Sequence, residues 1–511
     1  MRTVTVTGDP LTLDDLIDVA HGRARAELGP DVAARMAASQ AAVAEAVAAD
    51  AVVYGVTTGF GALADTRVAG EDLMAMQRSL VLSHSAGVGA ALGDAEIRAL
   101  LLLRARTLAA GLSGVRVELP ARLLELLDRG LLPVVPGQGS VGASGDLAQL
   151  AHLAAPLIGA GRLREPGGDP AGRPAAEVLA AHEIDPLVLA PKEGLSLLNG
   201  TEPMQALLGF SVHDANLLVT VADLACAMSV EALLGTDRSY DARVQALRPH
   251  PGQLESAANL RALLADSPLL ASHRDSRHAV QDAYCLRCAP QVHGAVRDLL
   301  AHVRGVLDIE LGAVVDNPVI IDGEAMTTGN FHGEPLAFAA DILAIGLAEL
   351  ASISERRVDR LLDPAFSREL PAFLARDPGM NSGFMLAQYT AAALVSENKV
   401  LAHPASVDTI PTSGNQEDHV SMGFGAVRKL RAVVANVRPV LAIELLCAAQ
   451  GIDLRAALAG PGPATSAVHA TLRAAVPPMD VDREVAPQIE AVAALLPDLL
   501  AAAESVTGRL R

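Results

Sequence analysis

Long alanine- and leucine-rich segments constrain this chain more than any other feature, because several are apolar around most of the helical circumference. Residues 335–355 and 425–449 are the clearest cases. A helix with one apolar stripe can lie on a surface, whereas one that is apolar all round must be covered on every side. Such segments predict a multi-helix bundle whose remaining apolar faces are buried between subunits. The same propensities predict helices at 32–51, 94–112, 119–130, 146–158, 203–234, 291–311, 335–362, 385–401, 425–449 and 485–509. Residues 217–235 and 336–354 are interrupted by Asp223, Glu231, Asp341 and Glu349. They read as buried helices rather than as clean membrane spans of about 20 apolar residues.

The amino-terminal part is more mixed. Alternation in Arg2-Thr3-Val4-Thr5-Val6-Thr7 predicts one short edge strand, and Thr12-Leu13-Asp14-Asp15 gives a helix start with acids in the first turn. Residues 164–174, rich in proline and glycine, read as a surface loop, and Asn199-Gly200-Thr201-Glu202-Pro203 marks a break before the long helices. The expected fold class is therefore mainly α, a long multi-helix bundle (203–511) with a smaller mixed region (1–202) before it.

Composition narrows the function. The 511 residues carry 40 Lys+Arg against 59 Asp+Glu, a net charge of −19, and no basic run of the kind that tracks nucleic-acid phosphates. Four cysteines are too few to staple so long a chain and fit a reducing compartment, so the expected location is cytoplasmic. Asp9, Asp14, Asp15 and Asp18 stand where a signal peptide would be basic and then apolar.

Three motifs invite other chemistries. Gly137-Gln138-Gly139-Ser140-Val141-Gly142 matches GxGxxG after a strand-like Leu131-Leu132-Pro133-Val134-Val135. A dinucleotide site also needs a second parallel strand with an acidic end, and no strand–helix series follows here. Cys285-Leu286-Arg287-Cys288 matches CxxC but lacks both a second ligand pair and a thioredoxin-like context, so incidental buried thiols are expected. The fourteen histidines include no HExxH pair or other tight ligand cluster, and no metal is expected.

What remains is Ala143-Ser144-Gly145-Asp146, between the glycine-rich loop and a predicted helix. Glycine tolerates strained backbone, so the Gly145 nitrogen can approach the Ala143 carbonyl. Ring closure with loss of two waters, one from the Ser144 hydroxyl, would leave an exocyclic methylidene, a built-in electrophile.

The sequence resembles the ammonia-lyases that act on histidine, phenylalanine and tyrosine, which build a 4-methylidene-imidazol-5-one (MIO) from an Ala-Ser-Gly triplet. The likeness recurs as Tyr54-Gly55-Val56-Thr57-Thr58-Gly59-Phe60-Gly61, Ser83-His84 and Leu198-Asn199-Gly200-Thr201. It continues through Gln281-Asp282-Ala283-Tyr284-Cys285-Leu286-Arg287, Asp316-Asn317-Pro318, Gly329-Asn330-Phe331-His332-Gly333 and Gln416-Glu417-Asp418-His419. These blocks stand in the family's order. Departures are Gln149 for an expected proline, Ser79 for an expected asparagine, and the absence of tryptophan.

The resemblance implies that Ala143, Ser144 and Gly145 form the MIO group, with the positive end of the following helix directed at it. It implies that Tyr54 takes the β-proton, that the flexible segment after it suits a lid, and that Arg287 pairs with the substrate carboxylate. It places Asn199 and Tyr284 beside the MIO group, and Gln281 and Phe331 in the pocket. Members acting on histidine carry Ser-His where this chain has Ser83-His84 and a glutamate at Glu417; tyrosine-type members have His-Leu and phenylalanine-type members Phe-Leu, both with glutamine at the latter position. An imidazole and a carboxylate can bond a substrate imidazole, and a phenyl ring can use neither.

The resemblance thus implies conversion of L-histidine to trans-urocanate and ammonia, with no dissociable cofactor, in a homotetramer whose active sites are each assembled from three subunits. Alternatives are a tyrosine or phenylalanine lyase or a 2,3-aminomutase of the same family, a silent helical scaffold, or, on GxGxxG alone, an NAD-binding oxidoreductase.

Overall fold

The computed structural model of the chain describes residues 1–276 and 280–511. Among these, nineteen α-helices alternate with nine strands of two to five residues, so the mainly α expectation holds. Contacts group the chain into two interleaved units. One comprises Met1–Phe210, Arg304–Ala340 and Pro404–Arg428, the other Ser211–Val303, Asp341–His403 and Lys429–Arg511. The division expected after residue 202 falls at the start of the Glu202–Ala232 helix, whereas the contact grouping changes inside it, at Phe210. A helix apolar on all sides makes contacts along its whole length, so no loop marks where its neighbours change.

In the first unit, Arg2–Val6 pairs in parallel with Ala24–Leu28, Val4 lying opposite Ala26. The partner strand was not legible, because inward Ala24 and Ala26 carry little strand signal. The Leu13–Ala20 helix starts on a reciprocal cap: the Asp15 N–H donates to Thr12 Oγ1 at 3.1 Å and the Thr12 N–H to Asp15 Oδ2 at 3.1 Å. The helix expected to reach residue 112 stops at Ala109, and Gly111 then takes a left-handed φ of +79°. Around the glycine-rich loop, Pro136–Gln138 and Leu132–Pro133 both pair antiparallel. Among the described strands only the Arg2–Val6 pairing is parallel, so the dinucleotide-binding unit is absent at this motif.

In the second unit, Asp223 and Glu444 are buried within the apolar helices and paired there, whereas Glu349 is exposed. Asp223 accepts from Ser256 (2.5 Å), Asn259 (2.9 Å), His293 Nδ1 (2.8 Å) and Arg297 (2.7 Å), all within the core. Glu444 is held by Arg357 at 2.5 and 2.9 Å and by Ser229 and Ser354 at 2.7 and 2.6 Å. Three helices, Glu202–Ala232, Glu334–Leu362 and Gly423–Leu454, are long and apolar enough to cross a membrane by length and composition. Their most apolar windows are 89%, 67% and 72% buried inside the protein, as expected of core helices. Cys226, Cys285 and Cys447 are buried free thiols and Cys288 is half-buried, which gives the CxxC match a packing role.

Burial raises the Asp223 carboxyl, but the Arg297 charge and the His293 and Ser256 hydrogen bonds outweigh it and bring it down to about 2. That lies below the usual value of about 3.9, so the group adds stability above pH ~4 that is lost as pH falls toward 2. Replacing Asp223 by Ala leaves Arg297 buried without its anion, and thermal unfolding at pH 7 should show a loss of about 3–5 kcal/mol. The wild-type advantage should shrink between pH 4 and 2, and an unchanged difference across that range would contradict this account.

Candidate active site

The Ala143-Ser144-Gly145 triplet lies between the Pro136–Gln138 strand and the Leu147–Ala154 helix, in a turn that only glycine permits. Gly142 and Gly145 adopt φ of +68° and +73°. A side chain on Gly145 would overlap the Gly200 carbonyl, so the two backbones touch. They are bonded there as well, the Asp146 N–H donating to Gly200 O at 2.9 Å. Ser140 Oγ donates to Asp146 Oδ1 at 2.6 Å, and the Met204 N–H donates to Asp146 Oδ2 at 3.0 Å. Burial pushes the Asp146 carboxyl up to about 7 against those two hydrogen bonds.

The groups around the triplet fit a ring formed from it. Asn199 Nδ2 donates to the Ser144 carbonyl at 2.9 Å, while among the described residues the buried Asn199 Oδ1 has no hydrogen-bond partner. The Ser144 hydroxyl donates to Glu417 Oε1 at 3.1 Å, and Glu417 Oε2 accepts from Thr412 at 2.8 Å. Gln149, where proline was expected, is buried and donates to the Pro136 carbonyl at 3.2 Å, tying this helix to the strand before the loop.

Two cavities meet at the triplet. The larger, about 560 Å³, is lined by Tyr54, Phe60, Ser79, Ser83, His84, Ser144, Asn199 and Glu417 among others. The smaller, about 330 Å³, is lined by Ala143, Ser144, Phe331, His332, Glu417 and His419, and Tyr54 and Asn317 border both. The Gly61 N–H donates to the Tyr54 hydroxyl oxygen at 3.2 Å, which leaves the tyrosine's own proton free to point elsewhere. The segment read as a lid is anchored at its start: Thr57 and Thr58 are buried, and the Thr57 hydroxyl donates to Ala51 O at 2.6 Å. Its cavity-facing part is Gly59 to Leu63.

Ser83 and His84 end the Leu73–His84 helix, whose Met76, Ser79 and Leu80 share the same cavity wall. His84 Nδ1 lies 3.0 Å from the Leu80 carbonyl, so this nitrogen is the donor and Nε2 the acceptor. Burial lowers the His84 pKa, opposed by the Leu80 bond and the Glu417 charge, and the ring stays neutral at pH 7.

Gln281, Tyr284 and Arg287 lie in the second unit and form a group of their own. The Arg287 guanidinium stacks 4.7 Å above the Tyr284 ring and bonds the Gln281 side-chain oxygen, and Tyr284 is 70% exposed. Asn317, inside the quoted Asp316-Asn317-Pro318 block, borders both cavities, while Ser413, which borders the larger one, and Thr412, which holds Glu417, lie just before a quoted block and had no sequence signal of their own. His332, Glu334 and His419 bring ligand atoms within 4.8 Å of one another, a grouping that the linear reading of the histidines missed because the chain separates them.

Comparisons with known proteins agree with this geometry. The chain is 52% identical to a histidine ammonia-lyase of Anaeromyxobacter dehalogenans, covering 97% of this chain and 99% of that one. Its structure superposes on histidine ammonia-lyase from Trypanosoma cruzi with a TM-score of 0.91 at 41% identity, covering 99% and 96% of the two chains. It superposes on tyrosine aminomutase from Streptomyces globisporus with a TM-score of 0.93 at 38% identity over 100% of both. A family model described as aromatic amino acid lyase matches residues 11–474, a span that includes the triplet, both cavities and the Arg287 group, and the chain belongs to that family.

Proposed function

We propose that this protein eliminates ammonia from L-histidine to give trans-urocanate, using an MIO group made from Ala143, Ser144 and Gly145. The observation that carries the reading is that Ser83, His84 and Glu417 line the same cavity as Ser144. The relatives named above support the substrate, being histidine ammonia-lyases at 52% and 41% identity. The likeness to a tyrosine aminomutase keeps the fold from choosing among family reactions, so the ring-end residues carry the choice.

The MIO group supplies an electrophilic methylidene to the substrate; the chain's own groups do the rest. Tyr54, bordering both cavities, takes the β-proton on its phenolate oxygen and so becomes the neutral phenol. His84 Nε2 and Glu417 are both acceptors, so together they hold the substrate ring in its protonated form, which carries two N–H groups. Asn199 holds the triplet from one side, and Phe331 closes the smaller cavity. Arg287 clamps the substrate carboxylate with its planar fork, oriented by Gln281 and stacked on Tyr284.

The exposure of Tyr284 fits a group that completes the site of a neighbouring subunit, as in a homotetramer with each site built from three chains. Exposed apolar residues on the long helices, Phe338, Ile345, Leu386 and Tyr389, fit the same assembly. The free cysteines fit a cytoplasmic location. The partner is a small amino acid, with neither nucleic acid nor membrane required.

Ser144→Ala removes the hydroxyl that leaves during ring formation, so the variant should fold, keep its oligomeric state and lose nearly all activity. Wild-type intact mass should be lower than the translated mass by about two waters; an unmodified mass with full activity would sink the assignment.

Tyr54→Phe keeps the ring and removes the proton acceptor, so kcat should fall by about 10² to 10⁴ while histidine still binds. Wild-type kcat in this variant would move proton abstraction to another group, with Tyr284 the next to test.

Selectivity follows from leaving polar groups unpaired, at about 1–3 kcal/mol each. Replacing Ser83-His84 by Phe-Leu should abolish histidine turnover and raise phenylalanine turnover, with Glu417→Gln needed for the larger part of the gain. Parallel assays on histidine, tyrosine and phenylalanine check this, and a wild-type enzyme forming cinnamate or coumarate faster than urocanate would overturn the substrate assignment.

A further inference from the structure

Arg104 sits on the Asp94–Ala109 helix, fully buried, beneath the segment that carries Asn199 and Gly200. Its guanidinium donates to the Asn199 carbonyl at 3.0 Å, to Glu202 Oε1 at 2.7 Å and to the Ser196 carbonyl. Ser196 and Asn199 lie at the carboxyl end of the Glu193–Leu198 helix, where carbonyls lack helical partners and a cation is favoured. A side chain on Gly200 would overlap both the Glu202 carboxylate and the Arg104 guanidinium, so residue 200 rests directly on the ion pair.

The other side of the same strap faces the triplet. Asn199 Nδ2 holds the Ser144 carbonyl at 2.9 Å, Gly200 O accepts the Asp146 N–H at 2.9 Å, and Gly145 lies against Gly200. One buried cation therefore fixes two carbonyls of a strap that in turn fixes the triplet at two points.

We infer that Arg104 is a positioning residue for ring closure: by clamping the Ser196 and Asn199 carbonyls it holds the strap that presses the Ala143-Ser144-Gly145 turn into its reactive shape. In that closure the Gly145 nitrogen bonds the Ala143 carbonyl carbon. The carbonyl oxygen leaves as water with the amide hydrogens of Gly145 and Ser144, and the Ser144 Cα hydrogen and hydroxyl leave as the second water. An amide nitrogen is a poor nucleophile, so the rate depends on how well the two atoms are held together. The inference rests on the proposed MIO chemistry, and intact mass separates the two.

The test follows the mass of full-length chains over time after synthesis for wild type, Arg104→Lys and the double variant Arg104→Met with Glu202→Met. The double variant removes both charges together, a change that buried pairs often tolerate. The lysine keeps a cation for Glu202 but, with one nitrogen, cannot span both carbonyls and the carboxylate. Wild type should lose about two waters. Both variants, at wild-type helix content by circular dichroism, should lose them at least roughly ten-fold more slowly, as expected for losing charge-assisted hydrogen bonds. Wild-type dehydration rates in either folded variant would overturn the role of Arg104. A wild-type chain that never loses water would instead overturn the MIO assignment itself.

Discussion

The site is organised by the contact of two backbones, at Gly145 and Gly200, with no side chain between them. Gly145 holds a φ of +73°, and neither position has room for a Cβ. The consequences run outward. Because Gly200 is flush with Arg104 and Glu202, the cation beneath needs partners other than water, and the Asn199 and Ser196 carbonyls and Glu202 Oε1 supply three. Such acceptors offset the cost of desolvating the two charges, although among the described residues Arg104 Nε and Glu202 Oε2 have no hydrogen-bond partner. Because the triplet is bonded through Asp146 and Asn199, its shape is set by amide and carbonyl positions rather than by side-chain size. Enlarging either glycine would separate these layers.

The second unit solves a different problem with the same means. Helices that are apolar all round have many rotations and registers of similar packing quality, and well-packed apolar cores lose uniqueness before they lose stability. Rotating the Gly423–Leu454 helix would strand Arg357 without Glu444, and shifting the Glu202–Ala232 helix would strand Arg297 without Asp223. Each buried charge thus penalises the wrong alignment of an otherwise permissive surface. Asp223, one of these residues, also interrupts an apolar stretch in the sequence, where it already argues for a protein interior.

Helix content and the triplet were legible because both depend on local sequence. The 385–401 helix was placed at its observed ends, and the long bundle helices within a few residues apart from the last turn of Gly423–Leu454. Ala24–Leu28, Pro251–Leu263 and Pro463–Ala475 were missed: the first is strand through its partner, and the others are ordinary alanine-rich turns that proline at their first position starts. At the site, blocks of sequence identified Tyr54, His84, Asn199 and Glu417, but no local signal shows that Thr412 holds Glu417 or that Arg104 supports Asn199. Those links join residues far apart in the chain, and only folding creates them.

On the proposed chemistry, Glu417 connects selectivity to ring formation. Before closure its Oε1 accepts the Ser144 hydroxyl at 3.1 Å, and its Oε2 is taken by Thr412. Loss of that hydroxyl as water leaves Oε1 without its partner, in a cavity shared with Ser83 and His84. Glu417 is half-buried, so a carboxylate oxygen left there without a partner keeps only part of its hydration, and an imidazole N–H is a donor of the right kind to restore a partner. His84 is already fixed as an acceptor at Nε2 by its bond to the Leu80 carbonyl. On the proposed chemistry, the elimination that creates the electrophile therefore also uncovers the acceptor that reads the substrate ring. A phenyl ring entering the same space would meet an open carboxylate and an open imidazole nitrogen and could satisfy neither.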